Sequence, residues 1–252
     1  MATLPVSGAE IALRESDGAD DMLLHESTGS PVALGLALLT RLAEGSGCDF
    51  AKLPVTDFEF LLLNLHAARL GPRMTLGFAC PHCRTMVEVS FLVADYAADI
   101  TPRAAPGVVP DPDRPGWFRL DEAGFRLPTA GDLAAAAERA APARVLAERC
   151  LDETARRKRY RARVERAMEM MAPEFSRPIA GDCPACGATV QASLSVSRVV
   201  MAELKRRAGA VHDEVDLIAR AYHWPESEIL ALPQHRRRAY AERIRRAHAQ
   251  AA

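Results

Sequence analysis

Four of the six cysteines fall into two short segments that repeat each other. The first reads Cys80-Pro81-His82-Cys83, followed by Val87, Ser90 and Val93; the second reads Cys183-Pro184-Ala185-Cys186, followed by Val190, Ser193 and Val196. The shared pattern is C-P-x-C-x-x-x-V-x-x-S-x-x-V, with its copies 103 positions apart. Each C-P-x-C turn places two sulfurs on one side of a tight bend. Two such knuckles can supply four thiolates to one tetrahedral zinc in a closed, structural site. A catalytic zinc keeps one position open for water and needs an acid or base nearby, which four cysteines do not leave. A redox C-x-x-C would sit at a helix N-terminus, where the thiol pKa falls. Here the residues after both motifs alternate as strands do, which favours metal over redox chemistry and over two unrelated pairs of free thiols. The candidate ligands are therefore Cys80, Cys83, Cys183 and Cys186, and the implied cofactor is a structural Zn2+. His82 lies between two ligating positions and is expected to face solvent. Gly187 suits the sharp turn after the second pair; Arg84, at the matching place in the first, does not.

The other two cysteines stand alone. Cys150 would lie on the apolar face of a helix and pack as a small hydrophobe, whereas Cys48, in a polar loop, reads as a surface thiol. Arginines cluster at Arg156–Arg166 and Arg236–Arg246. Such helices can touch phosphates, but with few aromatics beside them they read better as solvated faces with i,i+4 acid partners or as protein interfaces. Tyr222 and Trp224 flank a break between C-terminal helices and read as core or hinge residues. No metalloprotease, deaminase, nucleophile-elbow or P-loop motif is present, and no catalytic residue or small-molecule substrate is expected.

The chain has 252 residues, 49% of them apolar and 26% charged, and a formal net charge of -1. That is enough to bury a core and gives no global attraction to nucleic acid or an anionic membrane. The first residues lack the pattern of a secretory signal, and the most apolar windows are too short to span a bilayer. A cytoplasmic location follows as the expectation, and in a reducing compartment paired cysteines read as metal ligands and not as disulfides.

The cysteine turns need strands to hold them, and Met74–Ala79 with Met86–Val93 and Ala188–Val196 supply these. Upstream, Glu10–Arg14 and Met22–His25 read as short strands and Val32–Ala43 as a helix. Thr56 with Glu59 forms a capping-box signature for a helix that Gly71-Pro72 ends. Residues 101–116 are a proline-rich loop, and Trp117–Leu120 with Phe125–Leu127 is a small hairpin. Thr129 and Asp132 open a helix, and further helices cover Pro142–Leu151, Glu153–Met171, Ser197–Tyr222, Glu226–Leu232 and His235–Ala249. The expected fold is α+β, mainly helical, with two zinc-knuckle β-hairpins forming a zinc-ribbon-like element. The expected parts are 1–72, an α/β segment with helices; 73–196, the hairpins with a helical insertion at about 101–178; and 197–252, a helical segment.

Several segments together carry a family resemblance. These are Leu53-Pro54-Val55-Thr56-Asp57-Phe58-Glu59 before the first knuckle, Phe125-Arg126-Leu127-Pro128-Thr129-Ala130-Gly131-Asp132 before the helices, and Cys150 at a helix end. After the second knuckle come Trp224, Glu228-Ile229-Leu230-Ala231-Leu232-Pro233, Arg236-Arg237-Arg238 and Tyr240. The succession resembles the T4-like baseplate protein family of contractile phage tails and related injection systems, over roughly residues 50–245. The resemblance implies a structural or assembly role in a baseplate, other baseplate or tail subunits as partners, incorporation into a tail-like particle or assistance in its assembly, and no enzymatic activity. The alternative from a different class is a zinc-ribbon module that binds nucleic acid or acts with the transcription machinery.

Overall fold

A computed structural model describes residues 1–251. The fold is α+β, about half helical, with four small antiparallel sheets among the described residues. In chain order the elements begin with β1 (Ala2–Thr3), β2 (Glu10–Ile11), α1 (Gly18–Glu26), α2 (Pro31–Leu42) and α3 (Val55–Leu70). Next come β3 (Arg73–Ala79), β4 (Met86–Leu92), α4 (Val93–Ala98), β5 (Val108–Pro110), β6 (Phe118–Leu120) and β7 (Ala123–Phe125). Then follow α5 (Ala130–Ala137), α6 (Pro142–Cys150), α7 (Lys158–Met171), β8 (Pro178–Asp182) and β9 (Thr189–Ser193). The chain closes with α8 (Val196–Ala208), α9 (Val211–Tyr222), α10 (Glu226–Leu230) and α11 (Gln234–Ala251). Contacts divide the described residues into one unit of residues 1–11 and 49–200 and another of residues 12–48 and 201–251.

The first unit is organised around α3. Phe58, Leu61, Leu62, Leu63 and Leu65 are all buried, as are Thr56, Asp57, Glu59 and His66. A helix buried on nearly every face belongs to a core, not a surface. Its polar residues therefore serve other segments. The Asp57 carboxylate accepts the Val6 and Ser7 N–H groups at 2.8 and 2.9 Å, fixing the tip of the β1–β2 pair. The expected Thr56–Glu59 capping box does not form. Pro54 occupies the N-cap without a side-chain bond, Thr56 Oγ1 donates to the Pro173 carbonyl at 3.0 Å, and Glu59 is taken up by residues 175–176. Both side chains are buried, so the tertiary partners displace the local cap.

Farther along, β5 joins the expected β6–β7 hairpin as a third strand inside the proline-rich stretch. Phe125, Leu151, Ala155, Val164 and Ala167 pack beneath it. Helix α7 starts at Lys158 and not at Glu153, because Asp152 Oδ1 draws the Ala155 N–H into a turn at 2.7 Å. The Thr129–Asp132 capping box is present. The same Asp132, 1% exposed, accepts a two-pronged bond from Arg126 at 2.5 and 2.9 Å and a third from Arg149 Nε at 2.6 Å. Burial alone would raise its pKa, but the two guanidiniums and the Thr129 N–H outweigh that and hold the carboxyl well below the usual range.

In the second unit the expected strand Met22–His25 is instead part of helix α1. Asp17 caps the Asp20 N–H, and the Asp20 carboxylate accepts the Asp17 N–H in return. This capping box fixes helical geometry where a short apolar run suggested a strand. Asp20, fully buried, binds Arg14 through both terminal nitrogens at 2.7 and 2.8 Å and Arg41 Nε at 2.6 Å. The long helix expected over Ser197–Tyr222 is two, parted at Gly209. Ile218, Ile229 and Ile244 form a small core of α9, α10 and α11, beside a mutually packed set of Tyr222, Trp224 and Tyr240 rings. Arg237 is wholly buried between Asp21 and Glu214, with Nη1 donating to the Leu232 carbonyl at 2.8 Å. Three charges buried together make a tolerable site only because each is hydrogen-bonded.

Candidate metal centre

The β3–β4 hairpin ends in the first cysteine turn and the β8–β9 hairpin in the second. Both are cross-strand pairs in one register, Ala79 facing Met86 and Asp182 facing Thr189. Each turn closes the same way. The Cys80 N–H donates to the Thr85 carbonyl and the Arg84 N–H to the Cys80 carbonyl, both at 2.9 Å. In the second turn Cys183 pairs with Ala188 and Gly187 with Cys183, again at 2.9 Å. Residue 84 has φ 65° and residue 187 φ 71°. The left-handed position expected of Gly187 is therefore also imposed on Arg84, at the cost that a side chain brings there.

Closed in this way, the turns aim four sulfurs at one point. All four ligating atoms lie within 4.8 Å of one another. Cys80 Sγ is 3.8 Å from Cys186 Sγ, and Cys83 Sγ is 3.6 Å from Cys183 Sγ. A regular tetrahedron with metal–sulfur bonds of ~2.3 Å has sulfur–sulfur edges of ~3.8 Å, so the spacing fits a thiolate-bound metal ion. It is the only group of three or more His, Cys, Asp or Glu side chains so placed among the described residues. Cys80 and Cys183 are buried with Val87 and Val190, while Phe78 and Val89 pack against them; Cys83 and Cys186 are exposed. One side of the cluster is dry and the other faces water.

The metal-free thiols do not titrate alike. The Thr85 hydroxyl and N–H bring Cys83 down to about 6. Cys186 is pushed up to about 12: the Ala188 N–H lowers it, but bonds shared with Cys83, burial and bonds shared with Cys183 and Cys80 outweigh that. Four sulfurs this close cannot all carry charge without a cation among them. Metal capture must therefore expel protons, and its affinity must rise with pH.

The second hairpin is fastened at its base by a buried network. Glu59 accepts the Phe175 and Ser176 N–H groups at 3.2 and 3.1 Å and a short bond from the Ser176 hydroxyl. Ser176 Oγ in turn accepts the Val196 N–H at 3.0 Å, which ties the strand leaving the hairpin to the segment entering it. Tyr96 donates to the Phe175 carbonyl at 2.5 Å. Burial pushes Glu59 up to about 7; the Ser176 hydroxyl and the Ser176 and Phe175 N–H groups resist that, while Glu174 adds to it.

The remaining sequence candidates fall outside this cluster. His82 is exposed. Cys150 is buried as expected, with its sulfur 3.8 Å from Asp132 and its thiol pushed by burial to about 11. Cys48 is half-buried and not on the open surface. The arginines of α7 and α11 are mostly exposed, and Arg161–Glu165 and Arg246–Glu242 are i,i+4 pairs. Sequence reasoning missed the Glu59–Ser176 fastening, whose partners are 117 residues apart. It also missed the two arginine-bound aspartates, whose trace is an arginine six residues before a helix N3 aspartate. No helix among the described residues is long and apolar enough to cross a membrane. No protein-family model, curated protein or solved structure matches the chain.

Proposed function

We propose that Cys80, Cys83, Cys183 and Cys186 hold a structural zinc and that the chain is a building or assembly component of the baseplate of a contractile, phage tail-like injection system. The observation that carries the metal reading is the convergence of four sulfurs, from turns 103 residues apart, at spacings that suit a tetrahedral ion. Thiolates favour zinc, and also copper(I) and iron; zinc suits a closed site that has no redox partner. In this reading two zinc-ribbon-like hairpins are joined into one element and the helices between them become a lobe closed by the metal. The baseplate reading is supported by the segments Leu53–Glu59 and Phe125–Asp132 and by the Trp224 to Tyr240 motif. A scaffold fits it, since the buried carboxylates described above are committed to internal partners. Asp20, Asp132 and the Asp21–Arg237–Glu214 triad are all paired and buried.

Two experiments test it. Protein purified without added metal should carry one zinc per chain by elemental analysis; zinc-free, fully stable protein would refute the staple. In the cell that encodes it, deleting the protein should abolish sheathed tail-like particles in electron micrographs, and normal particles with normal baseplates would refute the assembly role. Salt-sensitive binding to DNA would favour the nucleic-acid reading instead.

A further inference from the structure

The repeat seen in the cysteine motifs is the visible end of a longer one. Arg14 and Arg126 each lie six residues before an aspartate and grip it identically, Nη1 on Oδ2 and Nη2 on Oδ1. In both places that aspartate is the N3 residue of a capping box, Asp17–Asp20 and Thr129–Asp132. In both, a second helix begins with proline, Pro31 or Pro142, and its penultimate residue, Arg41 or Arg149, donates Nε to Oδ1 at 2.6 Å. In both, the carbonyl of the last residue, Leu42 or Cys150, accepts the N–H of the first arginine at 2.9 Å.

The agreement continues into the next helix. The tip of the β1–β2 pair is held by Asp57 in α3, and the tip of the β6–β7 hairpin is held by position 160 in α7, where Tyr160 bonds Glu122. Positions 57 and 160 are 103 apart, the interval that separates the knuckles. A hairpin, a capped helix, a proline-started helix, a longer helix, a cysteine hairpin and a closing helix thus occur twice in one order. The copies share few residues beyond those that make these contacts.

Exchanging the two hairpins turns the Cys80–Cys186 contact into the Cys183–Cys83 contact, and these are the two short sulfur–sulfur distances, 3.8 and 3.6 Å. Buried Cys80 exchanges with buried Cys183 and exposed Cys83 with exposed Cys186. The cluster therefore has the pairing of a two-fold interface, in which residue i meets j and j meets i.

We propose that residues 2–98 and 118–199 are two copies of one unit, and that the four-cysteine cluster is a two-fold metal interface between them, each knuckle being a half-site for another hairpin of its own kind. This rests on the metal reading above. The partner that such a half-site fits is a second copy of the same hairpin, in this chain or in another.

The test uses full-length chains with one knuckle silenced, Cys80→Ser/Cys83→Ser and Cys183→Ser/Cys186→Ser, titrated with cobalt(II) alone. Each is expected to bind one cobalt per pair of chains, with the thiolate absorption of the wild type. Each should be a dimer when loaded and a monomer after chelation, the variant that keeps the first knuckle binding more weakly because Arg84 strains both of its turns. Metal uptake by a monomer, uptake by neither variant, or a response from one only would overturn the proposal. Circular dichroism checks folding. If either double variant fails to fold, Cys83→Ser and Cys186→Ser decide: their cobalt affinities should fall equally, and a gap above about tenfold, ~1.4 kcal/mol, would overturn it. Wild-type protein that takes no cobalt would sink the metal reading itself, a result distinct from the failure of the half-sites.

Discussion

Glu59 offers a stability test whose size follows from its surroundings. It is 2% exposed, and burial raises its pKa from 4.5 to about 7. A carboxyl raised on folding binds its proton more tightly in the native state. The associated stability is complete below pH 4.5 and is lost as pH rises through 7. A shift of ~2.5 units corresponds to about 3.4 kcal/mol in all, of which ~2.5 kcal/mol falls between pH 5 and 8.5 by the same linkage. Glu59→Gln removes the titration while keeping an acceptor for the Phe175 and Ser176 N–H groups. Urea unfolding of both proteins, with metal in excess, at pH 5, 6, 7, 8 and 8.5 gives the difference at each pH. That difference cancels the thiols, which titrate identically in the two. It should move in favour of the variant by about 2.5 kcal/mol from pH 5 to 8.5. A flat difference would refute the argument and mean that Glu59 is solvated or fully offset by its three donors.

Further outcomes follow from the other buried sites. Asp132→Asn leaves Arg126 and Arg149 without their charge partner and should cost about 3 kcal/mol, read from the denaturant midpoint, even though Arg149 is half exposed. In Gly18→Ala the added methyl would lie 2.8 Å from Leu230 Cα and 2.9 Å from Arg237 Nη1. It should destabilise by about 1–3 kcal/mol, measured by melting; an unchanged Tm would show that α1 shifts freely. In chelated protein Cys83 should alkylate readily at neutral pH and Cys150 hardly at all, since their thiols sit at about 6 and about 11. Mass spectrometry of the labelled peptides checks this, and added zinc should protect Cys83.

The cysteine hairpins were readable because their chemistry is local: two sulfurs in one turn, and alternation in the flanking strands. That the two turns meet was suggested only by their repetition. The helices over Pro31–Leu42, Ala130–Ala137 and Pro142–Cys150 were also marked locally, by caps and prolines. What failed depended on distance or on a competing local signal. Thr56 and Glu59 spell a capping box, yet both are claimed by residues 173–176. Met22–His25 is a short apolar run that reads as a strand, yet the Asp17–Asp20 box begins a helix just before it. Gly209 parts two helices whose periodicity runs through it. The arginine-bound aspartates left a spacing in the sequence, but Arg207 and Asp213 share it at the start of α9, so it stood out only once the bonds were seen.

Arg84 and Gly187 make the same left-handed turn from different material. Glycine holds that conformation freely, whereas a side chain there is strained by about 1 kcal/mol or more. The two halves of the cluster are therefore alike in ligands and unlike in resilience. The second knuckle keeps its shape by itself; the first is a sprung clasp that a bound metal would hold shut. On removal of such a metal, disorder should begin at residues 80–85 and spread back along β3 and β4, which would make the first hairpin the release catch of the element.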